Sequence, residues 1–550
     1  MTLPQKDIKE ELQEFWRKEE EKRTGILANQ AKIPYIDLRF RPIDPDALAL
    51  IPEEKARTAS VIAFALHAKT VKIAAASLKN PATVEALDEL KREGYQIEPS
   101  LASLSGINEA LEHYKFAPPP GRKITGEIAI SAETISAIAN KINVFQDVKK
   151  NISQYLEDAT QTLSFLLAAA LKVGASDIHL EPAADFLQIR FRLDGVLQDI
   201  TSIEIKKYRV IRDRIKLISG MKINLTNVAQ DGRFSIKKAG EEIEIRVSDI
   251  PGQYGEIFVL RLLDPKMIRV KLEDLGWRGD DLEIVKRQLN RPNGMILNTG
   301  PTGSGKTTTL YAFLQKLNEP GIKIITIEDP IEYHLEGIQQ TQVNPKAGYT
   351  FANGLRSILR QDPDVILVGE IRDYDTAEIA LNSALTGHLV FSTLHTNDAP
   401  GAIPRLVDMK VNQKLIPPAL NLVIAQRLVR KICSCAEKYE PSKEIQAKIT
   451  KCMQSLPARV KKPGLQKIIL MKPKGCQKCN MLGYKGRIGV FELFEITDEV
   501  AKVISETPNV SAIGEMALKS GMVTMLQDGI LKMLGGITSL EEIERVLGEL

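Results

Sequence analysis

One stretch, GPTGSGKTTTL at residues 300–310, restricts the fold of this 550-residue chain more than any other. The apolar sequence NGMILNT precedes it, and the helical sequence TTTLYAFLQKLN overlaps and extends it. A glycine-rich turn between a strand and a helix directs backbone N–H groups at phosphate oxygens, and the N-terminus of the helix favours the same negative charge. A glycine-rich turn that resembled this motif by chance would not need a strand before it or a helix after it. The pattern therefore predicts a phosphate-binding loop for a nucleoside triphosphate.

The residues of this loop have separate expected tasks. Its glycines let the backbone turn inward around the β- and γ-phosphates, and Lys306 places a cation on them. The hydroxyl of Thr307 is expected to be a ligand for Mg²⁺. The predicted nucleotide-binding set is Gly300, Pro301, Thr302, Gly303, Ser304, Gly305, Lys306, Thr307 and Thr308.

Carboxylates end two apolar strands that follow the loop. The strand in KIITIEDPIEY ends in Glu328 and Asp329, with Glu332 close behind. A second strand, VILV in DPDVILVGEIRD, ends shortly before Glu370. Carboxyl ends of parallel strands face the crevice in which a ligand lies, so each group is a candidate to order Mg²⁺ or to polarise the attacking water. Either cluster alone would be a solvated strand end, but two clusters behind one phosphate loop favour catalysis.

A histidine follows a third apolar strand, LVFST, in the segment LTGHLVFSTLHTNDAP. A lone histidine is usually a structural residue, and His388 in this segment is open to that interpretation. The sequence from Thr393 to Asn397 lies at the end of the strand, which is a better place for a functional group. His395 is therefore a candidate catalytic residue.

Size and composition limit the class of protein. A chain of this length is too long for one core and indicates three or four domains. The formal net charge is +4, which gives no overall basic field for nucleic acid, and no apolar run reaches about 18 residues. The N-terminal sequence is charged throughout, unlike a secretory signal. Five cysteines between residues 433 and 479 indicate a local site in a reducing compartment, so we expect a cytoplasmic protein.

Changes in pattern along the chain predict seven segments. They are an N-terminal helical segment (1–30), a small α/β domain (31–116), a linker that begins with APPPGRK (117–150), a strand-rich domain (151–268), a core of alternating strands and helices (269–430), a cysteine-bearing insert (431–496) and a C-terminal helical region (497–550).

Four of these motifs together carry a resemblance to a known family. GPTGSGKTTTLY, ITIEDPIEY, ILRQDPDVILVGEIRD and ALTGHLVFSTLHTNDA occur in this order and resemble the phosphate loop, aspartate, Walker B and histidine boxes of the secretion-superfamily ATPases. The chain is most similar to the type IV pilus assembly and type II secretion ATPases. The resemblance implies a multidomain α/β protein with a RecA-like P-loop ATPase core. It also implies a strand-rich, PAS-like α+β domain before the core and a small α/β N-terminal domain.

The resemblance extends upstream and adds basic residues to the site. GASDIHLEP, RFRLDGVL, QDGRF, RVSDIPGQYGE and VLRLLD resemble the second N-terminal domain of the family, and AKIPYIDL and IDPDALALIPEE resemble the first. Position by position, Arg233, Arg246 and Arg261 are implied to complete the nucleotide site in a hexameric ring. Without the resemblance, strand-surface cations would be the simpler interpretation. A guanidinium at the γ-phosphate stabilises charge in the transition state. Glu370 is implied to be the Walker B carboxylate.

The resemblance also implies a function and its partners. We expect a homohexameric ATPase that uses ATP and Mg²⁺ to drive assembly of type IV pili, with a type II secretion motor as the alternative. Its partners would be inner-membrane platform and accessory proteins, and it would lie at the cytoplasmic face of the inner membrane, peripheral to the membrane through those partners. A nucleic-acid motor would show a basic stripe or an aromatic platform, and neither is visible.

Some N-terminal domains of the family bind cyclic di-GMP. They carry a repeated Leu-Gly-rich motif before the IPY segment, and the sequence EELQEFWRKEEEKRTGILANQ departs from it here. A nucleotide-sensing module is therefore the weaker alternative for residues 1–120.

One pair of cysteines resembles half of a tetrathiolate zinc site, whose other half would be a second CxxC. Cys476 and Cys479 form a CxxC knuckle, but the second pair, Cys433 and Cys435, is a CxC that is one residue shorter than the family spacing. Cys452 is an alternative ligand if the CxC geometry is poor, and reduced thiols around a lost metal site are the alternative to zinc. Four thiolates would make the role of Zn²⁺ structural, because no open position is left for catalysis.

Overall fold

The computed structural model describes residues 8–116 without 42, 49, 68, 69 and 93, then 127–128, 137–138, 140–238, 241–264, 270–506 and 509–550. Most of the predicted linker lies outside the described residues. The chain divides into two compact units, Met1–Leu262 and Leu263–Leu550.

The first unit begins with a small α/β domain. Its sheet pairs β1 (Val61–His67) antiparallel with β2 (Thr70–Ala75) and β2 in parallel with β3 (Gln96–Leu101). The helices are Ile8–Ala31, Pro45–Leu48, Glu53–Ala59, Pro81–Arg92 and Leu104–Leu111. Buried alanine, valine, leucine and isoleucine side chains from the sheet and these helices form its core.

A seven-stranded sheet forms the rest of the first unit. Its strands are β4 (Glu127–Ile128), β5 (Ala175–Pro182), β6 (Phe186–Leu193), β7 (Val196–Glu204), β8 (Gln230–Lys238), β9 (Glu241–Gly252) and β10 (Gly255–Leu263), in the order β4-β8-β9-β10-β5-β6-β7. The remaining helices are Gln146–Asn151, Ala159–Val173 and Ile205–Ile218. Burial alternates along β6 and β10, so the sheet has one apolar and one polar face. The alternation matches the sequence FLQIRFRL of β6, in which every second residue is apolar.

A second seven-stranded sheet is the core of the second unit. Its strands are β11 (Gly294–Thr299), β12 (Ile324–Glu328), β13 (Gln339–Gln342), β14 (Val365–Val368), β15 (Leu389–Leu394), β16 (Leu420–Ile432) and β19 (Tyr484–Glu495), in the order β13-β12-β14-β15-β11-β16-β19. All neighbours are parallel except β16 and β19. Apolar cores cover both faces, and the four central strands are buried along their whole length.

Helices alternate with the parallel strands of this core. They are Gly279–Leu289, Lys306–Leu317, Phe351–Ile358, Tyr374–Leu385, Ala402–Asp408 and Ile416–Ala419. Because the connections are right-handed crossovers in such sheets, the carboxyl ends of β11, β12, β14 and β15 meet at one edge. The predicted loop, both acidic clusters and His395 follow these four strand ends.

The strands β16 and β19 continue beyond the core as an antiparallel ribbon that runs from the pair Leu422 and Glu495 to the pair Ile432 and Tyr484. The insert between them holds the helix Lys443–Gln454 and the short pair β17 (Glu437–Tyr439) and β18 (Leu470–Lys472). Four further helices end the chain: Asp498–Glu506, Val510–Lys519, Met525–Leu534 and Leu540–Leu547. None of the helices within the described ranges combines the length and apolarity needed to cross a bilayer.

Candidate nucleotide site and cysteine cluster

The glycines of the phosphate loop lie in backbone conformations that require glycine. Gly300, Gly303 and Gly305 have φ angles of +146°, +79° and +91°. A Cβ atom on Gly300 would also lie 2.5 Å from the carbonyl oxygen of Gln426, and one on Gly305 would lie 2.9 Å from the side-chain nitrogen of Gln426. The loop is therefore packed against β16 too closely for any larger residue at these two positions.

Lys306 begins the helix that follows the loop and lies over the loop itself. Its Nζ donates hydrogen bonds to the carbonyl oxygens of Gly300, at 2.7 Å, and Pro301, at 3.1 Å. Burial lowers the pKa of Lys306, and the negative charge of Glu370 opposes that shift. Nearby, the buried hydroxyl of Ser304 has no hydrogen-bond partner among the described residues. A cation and an unsatisfied hydroxyl inside a glycine turn suit a phosphate group.

Gln426 of β16 joins the two elements that flank the loop. Its Oε1 accepts hydrogen bonds from Asn298 Nδ2, at 3.0 Å, and from Thr309 Oγ1, at 2.8 Å, and the residue is 1% exposed. These contacts fix the strand before the loop and the helix after it to the same side chain. Gln426 is not among the residues predicted from the sequence. A single glutamine in the apolar run LNLVIAQRLV was the available signal.

Glu370 lies at the carboxyl end of β14 with charged neighbours. Its Oε1 is 2.5 Å from Arg372 Nη2, and its Oε2 is 3.6 Å from His395 Nε2. The Glu370 side chain is 15% exposed and lines a cavity of about 350 Å³ together with His395, Arg372 and Arg405. The structure thus brings Glu370 and His395 together, and the charge of Glu370 acts on Lys306. Sequence reasoning missed the two arginines, although Arg372 stands two residues after Glu370 in GEIRD.

Glu328 lies at the carboxyl end of β12 and is buried within a hydrogen-bonded group. Its carboxylate accepts hydrogen bonds from the hydroxyl of Tyr311, from Thr326 Oγ1 at 2.6 Å and from Gln340 Nε2 at 3.3 Å. Burial, followed by the charge of Glu328, raises the pKa of the Tyr311 hydroxyl. Three protein donors therefore hold this carboxylate in place, and its role at a metal or water stays a prediction.

The remaining predicted groups differ in exposure. Asp329 is exposed and acts electrostatically on Arg372, and Glu332 is half-buried. Thr307 is exposed in the first turn of its helix. His388 lies before β15, at the opposite end of the strand from His395, where its Nδ1 is 3.0 Å from the carbonyl oxygen of Ser383. That position explains why only one of the two histidines joins the cluster.

The three predicted arginines belong to the first unit and share the polar face of its large sheet. Arg233 and Arg246 are direct cross-strand partners on β8 and β9. Arg261 of β10 lies between the buried residues Leu260 and Leu262 and is exposed on the opposite face. Arg246 Nε also lies 3.4 Å from Glu244 Oε1, two residues earlier on the same face of β9, so a carboxylate stands beside this arginine pair.

Comparison with known proteins decides the family. The profile of the family described as "Type II/IV secretion system protein" matches residues 155–545, and the MshEN domain profile matches residues 31–119. The chain belongs to the type II/IV secretion system protein family.

Two curated relatives cover most of this family member. The type IV pilus assembly ATPase PilB of Myxococcus xanthus is 36% identical over 532 residues, which is 96% of this chain and 91% of the relative. The type II secretion system ATPase E of Vibrio cholerae is 41% identical over 474 residues, 85% of this chain and 91% of the relative. This member of the family is therefore an ATPase motor of the secretion superfamily.

A solved structure supports the fold alone. The X-ray structure of the Legionella pneumophila ATPase DotB covers 70% of this chain and 94% of its own, with a TM-score of 0.52 at 23% identity. The expected fold class is confirmed: a RecA-like core with a strand-rich domain and a small α/β domain before it.

The insert of this secretion-family chain brings four of its cysteines together. The Sγ atoms of Cys433, Cys435, Cys476 and Cys479 all lie within 4.8 Å of one another. The separations are 3.8 Å for Cys433 and Cys476, 3.9 Å for Cys435 and Cys479, and 3.7 Å for Cys476 and Cys479. A tetrahedral zinc tetrathiolate with Zn–S bonds of about 2.3 Å has sulfur–sulfur edges of about 3.8 Å. The donors and their spacing fit such an ion.

The cluster includes both members of the short CxC pair. Cys452 lies in the helix Lys443–Gln454 and is not one of the four. The knuckle turn at Asn480 and Met481 has positive φ angles, and the Sγ of Cys479 accepts the backbone N–H groups of Cys476, at 3.1 Å, and Gly483, at 3.3 Å. Such N–H groups stabilise a thiolate.

Proposed function

We propose that this ATPase drives the assembly of type IV pili by extruding pilin subunits from the inner membrane. The observation that carries the proposal is the extent of similarity to the pilus assembly ATPase, which includes the N-terminal region as well as the core. A type II secretion motor is the second candidate, because the ATPase of that system is more identical over a shorter part of the chain.

In this proposal the loop holds the triphosphate and Lys306 neutralises charge on its β- and γ-phosphates. Thr307 and the carboxylate oxygens of Glu328 and Glu370 would hold Mg²⁺, directly or through water, because the ion prefers oxygen ligands. When bound, Mg²⁺ would neutralise charge that develops on the phosphate oxygens. Glu370 orients and polarises the attacking water. His395 Nε2 lies 3.6 Å from the second carboxylate oxygen of Glu370. Asp329 and Glu332 lie on the same connection after β12 and are assigned to this acidic set.

We assign Arg233, Arg246 and Arg261 to the phosphates of bound nucleotide in an assembled homohexamer. Their shared polar face and the direct cross-strand pairing of Arg233 with Arg246 support this assignment. A ring of this kind would work at the cytoplasmic face of the inner membrane with platform and accessory proteins. Monomers should hydrolyse ATP poorly, since the site would be composite.

We assign a structural Zn²⁺ ion to the four clustered cysteines. The ion would hold the distal end of the ribbon of β16 and β19, because Cys433 directly follows β16 and its N–H donates to Gly483, one residue before β19. We also propose that the seven segments predicted from the sequence are the domains, linker and terminal regions of this ATPase.

Disruption of the gene in its host tests the choice between the two systems. We expect surface pili to disappear under electron microscopy while type II substrates still reach the medium. Wild-type protein should restore the pili, and a Lys306→Ala variant expressed at the same level should not. Normal pili together with a loss of secretion would instead assign the protein to type II secretion.

A further inference from the structure

Asp177 lies on the polar face of the large sheet in the first unit, on a strand with neighbours on both sides. It is on β5, and its Cα partners are Arg261 on β10 and Arg192 on β6. The neighbouring residues Ile178 and Leu180 are fully buried on the other face. Asp177 therefore lies between two arginines on adjacent strands, of which only Arg261 was expected to act in the site.

The carboxylate holds one guanidinium with each oxygen. Arg261 Nε is 3.0 Å from Oδ1, and Arg192 Nε is 3.2 Å from Oδ2. Ser176 Oγ donates to Oδ2 at 2.8 Å. The closest contact of each arginine with Asp177 is through Nε. Nη1 of Arg192 donates a hydrogen bond to the carbonyl oxygen of Gly195 at 3.2 Å, so its Nη2 is the terminal nitrogen offered to a phosphate.

Burial and charge are distributed unequally over this triad. The side chain of Asp177 is 5% exposed, whereas those of Arg192 and Arg261 are 34% and 57% exposed. One carboxylate against two guanidiniums leaves a net positive charge that faces outward. The two partly exposed guanidiniums share one buried carboxylate, so the surplus positive charge suits an anion that approaches from outside.

Arg190 on the same strand shows the alternative arrangement. Its Nη2 contacts both oxygens of Glu181 at 2.5 Å, so its terminal group is already paired with a carboxylate. Arg190 and Arg192 are two residues apart on the same face of β6. Arg190 is therefore a matched control for Arg192.

We propose that Arg192 is a further phosphate-contacting residue of the motor and that Asp177 is a positioning residue that orients Arg192 and Arg261 toward one oxyanion. The ligand is the terminal phosphate of the nucleotide, because the triad shares its sheet face with Arg233 and Arg246. This inference rests on the proposed assignment of those arginines. It adds a second guanidinium, held by the same buried carboxylate as Arg261.

Steady-state ATP hydrolysis by the full-length assembled protein tests the proposal. We expect Arg192→Gln and Asp177→Asn each to lower kcat about 10-fold or more, with the KM for ATP changed less than about 3-fold, because the lost contact strengthens in the transition state. Arg190→Gln should retain kcat within about 2-fold. Arg192→Lys should restore only part of the rate, since an ammonium lacks the planar fork.

Inhibition by inorganic phosphate in the presence of ADP gives a second measurement that a structural role would not change. The concentration for half-inhibition should rise several-fold in Arg192→Gln and stay unchanged in Arg190→Gln. Equal kcat and equal phosphate inhibition in the Arg192→Gln and Arg190→Gln variants would overturn the proposal. Failure of the arginine assignment on which the inference rests would look different, because Arg233→Gln and Arg246→Gln would then also keep their hydrolysis.

Discussion

The phosphate loop and the cysteine cluster are both small candidate binding sites, one for phosphate and one for a metal ion, but they are built in different ways. The loop is one continuous segment whose shape follows from its own glycines and from the strand and helix on either side. The cluster is made from two segments, with Cys433 and Cys476 separated by 43 positions. Their meeting depends on the pairing of β16 with β19, which brings Ile432 beside Tyr484. One site is local in sequence, and the other is created by tertiary structure.

This difference explains why a change in spacing has different consequences in the two regions. A residue added to or removed from the loop would move N–H groups that must all face one phosphate. The CxC pair is one residue short, yet its sulfurs reach the other pair within 4.8 Å. Tolerance arises because the ribbon positions the two segments and each thiol contributes only one atom. The following predictions test how far the comparison holds.

The largest effect is expected in the loop, at Lys306. Lys306→Ala should lower ATP hydrolysis by on the order of 100-fold or more and weaken ATP binding, because it removes a charge-assisted contact to the phosphates. Lys316→Ala, an exposed change in the last turn of the same helix, is the control and should behave like wild type. The turnover number and the nucleotide affinity are measured for both purified variants and for the wild-type protein. Comparable rates in the two variants would contradict the loop assignment.

Glu370→Gln should separate binding from cleavage. The amide keeps the shape of the side chain but cannot polarise water as a carboxylate does, so we expect ATP to stay bound while kcat falls about 100-fold. Nucleotide retained after gel filtration, together with phosphate release, measures both properties. Glu378→Gln on the neighbouring helix is the matched control, since that carboxylate pairs with Tyr374. Wild-type turnover in Glu370→Gln would remove this residue from the catalytic set.

Cys476→Ser with Cys479→Ser should affect stability more than hydrolysis. Elemental analysis should fall from about one zinc per chain to none, and the thermal midpoint should decrease by several degrees, because metal binding contributes to folding of the insert. Cys452→Ser should keep the metal, as its thiol is outside the cluster. A wild-type protein that carries no zinc but has a folded insert would show that the cluster has lost its ion.

Gln426→Ala gives the smallest expected effect. It tests whether the phosphate loop depends on contacts from the distant strand β16. The change leaves the buried groups of Asn298 and Thr309 without their shared acceptor, at a cost of about 1–3 kcal/mol in unfolding free energy. Gln339→Ala, exposed on the edge strand β13, should cost much less. Denaturant unfolding compares the two. Equal stability would mean that the loop does not depend on β16.

Prediction from the sequence succeeded where short-range pattern and strand ends carry the information. The loop, the acidic clusters and His395 follow strands whose apolar runs are visible, and parallel strands place their carboxyl ends at one edge. Prediction missed residues whose importance comes from contacts with distant partners. Gln426 is 128 positions from Asn298, and Arg405 lies on a helix that nothing local connects with Glu370.

The sequence by itself therefore determined the glycine turn, the phosphate-binding character of the loop and the family, because each depends on neighbouring residues in a set order. Only the tertiary structure decided the order of the strands, the partner of each buried polar group and the closure of the four thiols. It also decided that Asp177 holds two arginines rather than one. Those outcomes depend on which strands pair and in which register, and that pairing is settled by the packing of the whole sheet rather than by any one segment.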